Sequence, residues 1–289
     1  MNLPHRPRPI VPWAIGSALA IAALVGCAPL GAQQLGGDQS VTGPAGAIYV
    51  DDGGGKEGIP VVFLHSFGGT SGHWASPLDH VRHSRRALAM DLRGHGKSAA
   101  PQNDDYAVES FMHDLEAVVD KLAIKRFVLV GHSLGGAVAI KYAGRHPQRV
   151  AGLVLVGAPG KIPAEQSRQI MAGIEANYDT TMKGYWEKLV AGARTHVRTQ
   201  VLGQMNSVPR EDSLAIMRAL FADDPLASLD RYKGPTLVIF TDHGNTPNAL
   251  HNVRPNLLRK GVEGTSHWPH LDKPAEFNKV LDDFLAGVK

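Results

Sequence analysis

The 289-residue chain has one cysteine, Cys27. A single thiol cannot close a disulfide within the chain, nor build a cysteine-rich metal site. No charge of one sign dominates. Thirty Lys and Arg face 27 Asp and Glu, a formal net charge of +3, far from the basic footprint of a nucleic-acid binder. No H-E-x-x-H or other metal-ligand spacing occurs. Membrane-length apolar runs are also missing. The stretch from Trp13 to Val25 is apolar apart from Ser17 but only about 13 residues long, and a spanning helix needs about 20. What remains, 43% hydrophobic, 20% charged and 6% aromatic residues, is the composition of a folded globular protein.

The first acidic residue is Asp38, and the first ten residues carry Arg6 and Arg8. A positive start followed by a short apolar run is the pattern of an export signal. The run closes on Leu24-Val25-Gly26-Cys27, which resembles the bacterial lipobox, where the cysteine is lipidated and becomes the new N-terminus. The alternative is an ordinary signal peptide cut near Ala32. On the lipobox reading residues 1–26 are removed and Cys27 anchors the protein to a bacterial membrane, facing the periplasm or the exterior. Ala28 after the cysteine points towards the outer membrane. Loss of Arg6 and Arg8 leaves a net charge of +1. Residues 27–45, rich in Gly, Ala, Gln and Pro, read as a flexible tether.

From about Gly46 onward, short continuous apolar runs alternate with helical patterns. Val61 to Leu64, Ala87 to Leu92, Phe127 to Val130, Leu153 to Val156 and Thr236 to Phe240 read as strands covered on both faces, which implies a parallel sheet. Val108, Phe111, Met112, Leu115, Val118, Val119 and Leu122 form one helical stripe. Leu134 to Tyr142 and Phe277 to Leu285 form two more helices. The alternation predicts an α/β fold, a mostly parallel central sheet flanked by helices. It is broken by residues 161–232, which hold no convincing strand and read as a helical cap insertion. The core is then 46–160 together with 233–289.

Gly131-His132-Ser133-Leu134-Gly135 is G-x-S-x-G, following a strand and opening a helix. That context makes Ser133 a candidate nucleophile on a sharp turn. The GKS tail of Gly94-His95-Gly96-Lys97-Ser98 hints at a phosphate loop, but the required first glycine would stand at Asp91, which excludes it.

Four stretches together resemble the α/β-hydrolase fold family: His65-Ser66-Phe67-Gly68-Gly69, Asp91 to Ser98, Gly131 to Gly136, and Gly264-Thr265-Ser266-His267-Trp268-Pro269-His270. The resemblance covers nearly everything after residue 46. It implies a Ser-His-acid triad, with His267 in the family's G-x-x-H-W-P pattern as the base that activates Ser133. His270 is its nearest competitor. His65 matches the strand-end histidine that ties loops together, and His95 is read as stabilising its own loop. After the strand ending at Phe240 the family usually has G-x-x-D; here Gly244 stands in the acid slot. Asp242 is then the nearest carboxylate, with Glu165 or Asn245 as alternatives for orienting the imidazole. The backbone N–H groups of Phe67 and Leu134 would form the oxyanion hole. Ser66 replaces a glycine common in the family. The family's dehalogenases and epoxide hydrolases use Asp as nucleophile, which Ser133 argues against. The implied activity is hydrolysis of a small-molecule carboxylic ester without a cofactor. Other triad chemistry (carbon–carbon hydrolysis, lactone opening, perhydrolysis) or a non-catalytic binding role are the alternatives.

Overall fold

The structure is a computed structural model describing residues 36–241 and 246–289. Eight strands form one sheet: β1 (Gly36–Gly43), β2 (Gly46–Gly54), β3 (Val61–Leu64), β4 (Arg86–Met90), β5 (Phe127–His132), β6 (Val150–Val156), β7 (Thr236–Phe240) and β8 (Leu258–Gly261). Their order is β1-β2-β4-β3-β5-β6-β7-β8. The pairings β1 with β2 and β2 with β4 are antiparallel, and all others are parallel.

The sheet buries both faces, which is why its strands read as continuous apolar runs. In β3, Val61 and Phe63 point to one side and Val62 and Leu64 to the other, and none is exposed. Helices α1 (Ala75–Arg82) and α11 (Pro274–Leu285) cover the first face through Leu78, Val81, Phe277, Leu281 and Phe284. Helices α2 (Val108–Lys121) and α3 (Leu134–Arg145) cover the second through Phe111, Leu115, Val138 and Tyr142. Each fully buried side chain of this kind contributes about 1.5–3 kcal/mol relative to an exposed one.

Between β6 and β7 lie five helices: α4 (Ala164–Ala176), α5 (Tyr178–Leu189), α6 (Thr195–Gln204), α7 (Arg210–Ala222) and α8 (Pro225–Leu229). Met171, Met182, Trp186 and Met217 are buried in a core continuous with the second sheet face, so these large side chains mostly hold the insertion onto the sheet. Two short helices, α9 (Leu250–Val253) and α10 (Pro269–Asp272), flank β8.

The tether expected over 27–45 does not extend that far. Residues 36–43 are β1, paired along their whole length with β2, and the folded body therefore begins before Gly46. Its pairing is carried by the backbone ladder, and among its side chains only Val41 is buried, so the apolar pattern gave no sign of a strand. Cys27 and the rest of the expected signal segment lie outside the described residues.

Candidate active site

Ser133 occupies the turn between β5 and α3 with φ 51° and ψ −112°, a conformation that costs a non-glycine residue on the order of 1–3 kcal/mol. Neighbouring bonds hold it there. Its N–H donates to the Val156 carbonyl at the end of β6 (2.9 Å), and the Gly135 N–H donates to the His65 carbonyl at the end of β3 (3.1 Å). A Cβ on Gly135 would lie 2.5 Å from the Leu64 carbonyl oxygen, so only glycine lets the helix start so close to the sheet. Leu134 begins α3, where an N–H has no intrahelical acceptor. In the loop after β3, the Gly69 N–H donates to the Ser66 carbonyl (3.0 Å) and closes a turn that leaves the N–H groups of Phe67 and Gly68 outside its own bond.

His267 lies in the loop between β8 and α10, 7% exposed. Its N–H donates to the Leu189 carbonyl of the insertion (3.0 Å). Its ring lies against Gly157, the residue after Ser133's acceptor: a Cβ there would come 2.8 Å from the ring Cε1. Ser133 and His267 are thus both seated on the end of β6. The loop is fixed by Asp272, a residue the sequence reading passed over. Its carboxylate accepts from the Ser266 N–H (2.8 Å), the Ser266 hydroxyl (2.6 Å) and the Arg194 N–H (2.9 Å). The signal for it was a buried acid five residues past the histidine, which only the fold reveals.

The other histidines have different surroundings. His65 donates from Nδ1 to the Ser66 carbonyl (2.7 Å) and accepts at Nε2 from the Leu92 N–H (2.9 Å), so both nitrogens join loops. Burial holds its pKa well below 6.5. His95 bonds the Arg93 carbonyl within its own loop, and burial pushes its pKa down to about 4. His270 is fully buried in α10, stacked on Trp74 at 4.1 Å and 5.0 Å from the His132 ring. His132, inside the G-x-S-x-G motif, lies 4.7 Å from the His267 ring. The hydroxyl of Ser66 accepts from the Trp268 indole N–H (3.3 Å).

Asp242 and Asn245 lie outside the described residues. Glu165, the other candidate acid, is exposed on α4, and its two oxygens are taken by Arg168 and Gln169. Beside His267 opens a cavity of about 240 Å³, walled by Ala158, Pro159, Ile162, Leu189 and Phe240. Tyr185, Lys188, Thr241, Asn248 and His251 supply its polar lining. Burial pushes the Tyr185 phenol up to about 12. Among the described residues no group of three or more His, Cys, Asp or Glu is placed to hold a metal ion. Nor is any described helix long and apolar enough to cross a membrane.

The turn, the histidine loop and the strand order define an α/β hydrolase. The α/β hydrolase fold family model matches residues 59–189. A 2-hydroxy-6-oxo-2,4-heptadienoate hydrolase of Pseudomonas putida is 39% identical over 260 residues, which cover 80% of this chain and 90% of that one. A 1-acylglycerol-3-phosphate O-acyltransferase of Rattus norvegicus is 37% identical over 279 residues, 79% of this chain and 78% of its own. Among solved structures, the N-acyl homoserine lactone degrading enzyme Est816 superposes with a TM-score of 0.71 at 27% identity, covering 85% of this chain and all of that one. The chain belongs to the α/β-hydrolase fold family, and its relatives include hydrolases of small molecules.

Proposed function

We propose that the protein is a serine hydrolase of carboxylic esters. The observation that carries this is Ser133, held at positive φ on the β5–α3 turn and tied to the same end of β6 as His267. Ser133 Oγ attacks the acyl carbon while the His267 imidazole takes its proton. The negative oxygen of the tetrahedral intermediate accepts from the N–H groups of Phe67 and Leu134. His267 then gives the proton to the leaving alcohol, and water cleaves the acyl-enzyme by the same route. Asp242 is the acid assigned to stabilise the imidazolium, two residues beyond the end of β7. A cavity of about 240 Å³ suits short acyl groups better than long ones. Cys27 is proposed as the lipidated N-terminus of the exported protein.

A panel of p-nitrophenyl esters from acetate to palmitate tests the reading. Turnover should be greatest at the short end and absent in Ser133→Ala. Turnover that survives Ser133→Ala removes the serine from its role. For the anchor, mass spectrometry of the membrane fraction should find an acyl-modified Cys27, and Cys27→Ser should release the protein.

One observation favours a second reading, hydrolysis of an acidic oxo compound by the same serine. Lys188 is the only Lys, Arg, Asp or Glu among the described residues lining the cavity. A carboxylate-bearing substrate, such as the hydroxy-oxo-heptadienoate in the name of the Pseudomonas putida relative, would meet a cation there. If this reading holds, Lys188→Gln should raise KM for an acidic substrate tenfold or more and leave a neutral ester unaffected.

A further inference from the structure

We infer that Trp186, on α5 of the insertion, is a positioning residue that keeps the oxyanion turn and the His267 loop in register with each other. The inference rests on the hydrolase reading for what these two segments do. The geometry stands by itself. Trp186 is 2% exposed and stacks on two aromatic rings. Phe67 of the oxyanion turn stacks on it at 5.7 Å and 23°, and Trp268, the neighbour of His267, at 6.1 Å and 14°.

The contact with the turn is closer still. Gly68 has φ +69°, and a Cβ there would lie 2.7 Å from the Trp186 ring. The indole therefore covers the backbone of the residue that follows the assigned oxyanion donor. Two further ties run from the same part of the insertion to the histidine loop. The Leu189 carbonyl, three residues on, accepts the His267 N–H, and the Arg194 N–H donates to Asp272, which pins Ser266. Ser66 and Trp268 close the circuit with their own hydrogen bond. The two loops come from opposite ends of the sequence, and α5 is packed against both.

The Trp186 indole N–H is buried without a hydrogen-bond partner among the described residues. A buried unpaired donor costs on the order of 1–3 kcal/mol, which phenylalanine would avoid. What tryptophan adds against that cost is breadth: a bicyclic ring reaches Phe67 and Trp268 together.

The experiment uses Trp186→Ala and Trp186→Phe in the full chain, with ester kinetics normalised to active sites and hydrogen exchange by mass spectrometry. Trp186→Phe should fold, the lost packing being partly offset by removal of the unpaired N–H, and lose several-fold in kcat. Trp186→Ala should lose about 10- to 100-fold in kcat with KM changed less than threefold. In both, exchange should rise together in segments 66–69 and 264–270 while the β5–α3 turn stays protected. If Trp186→Ala does not fold, Trp186→Phe decides by the same readouts. Unchanged exchange at both segments overturns the inference whatever the substrate, as does a kcat that follows only the folded fraction. Native protein that turns over no ester and takes no serine-directed probe sinks the hydrolase reading instead, and the exchange result still decides the role of Trp186.

Discussion

Two residues carry conformations that only the site explains. Ser133 is held at positive φ, and in Ser133→Ala that strain remains while the hydroxyl is gone. Ser133→Gly removes both. The glycine variant should therefore melt above the alanine variant, by the equivalent of about 1 kcal/mol once glycine's extra chain entropy is subtracted, as thermal unfolding would show. Gly157 is the second residue, with φ +50° and its Cα under the His267 ring. Gly157→Ala should cost about 1–2 kcal/mol for the left-handed backbone and push the ring aside. Turnover should fall at least tenfold with KM little changed; native kcat in that variant would mean His267 does not need its present seat. Ser133 was legible because the turn that strains it leaves a glycine signature in sequence. Gly157 was not, because its partner lies 110 positions away and no local pattern marks the contact.

Among the strands, those buried on both faces were readable and the edge strands were not, for a physical reason. A strand buried on both faces must be apolar throughout, and β3, β5 and β7 stand where their apolar runs placed them. β1 and β8 lie at the two edges of the sheet and are held by backbone bonds, so Gly36–Gly43 and the exposed Leu258-Arg259-Lys260 carry no such pattern. The links between elements were equally silent. Arg93, from the loop after β4, donates to both oxygens of Asp114 in α2 (2.6 and 2.8 Å). The side chains are 3% and 0% exposed. Burial raises the Asp114 pKa against the pull of Arg93. Removing Asp114 leaves the Arg93 guanidinium buried with only the more distant Asp105 carboxylate (3.7 Å) and the Asp105 and Ser110 carbonyls, so Asp114→Ala should destabilise by about 3 kcal/mol in urea unfolding. A loss below about 1 kcal/mol would show that water reaches the pair.

At the scale of the molecule, the buried histidines set the response to pH. Burial holds His65, His132 and His270 well below their ordinary 6.5, so they stay neutral in the folded protein. The unfolded chain takes up those protons as pH falls through about 6.5. Stability should therefore be level above that point and decline below it, each histidine contributing up to about 1.4 kcal/mol per pH unit. Tm should drop by several degrees between pH 7 and 5.5. His270 stacks on Trp74 with neither nitrogen hydrogen-bonded among the described residues, so His270→Phe should flatten the slope. A Tm that does not fall over this range would mean the histidines are solvated. The proposed reaction requires Ser133, on the turn after β5, and His267, on the loop before α10, to act together from the end of β6 where both are seated. That pairing is tested most directly by incubating the full chain with a fluorophosphonate and mapping the adduct by mass spectrometry. The account predicts one phosphonyl group per molecule, on Ser133, with ester turnover lost in step and labelling slowed by orders of magnitude in His267→Ala. A folded protein that takes no label, or takes it on another residue while Ser133 stays free, would contradict it.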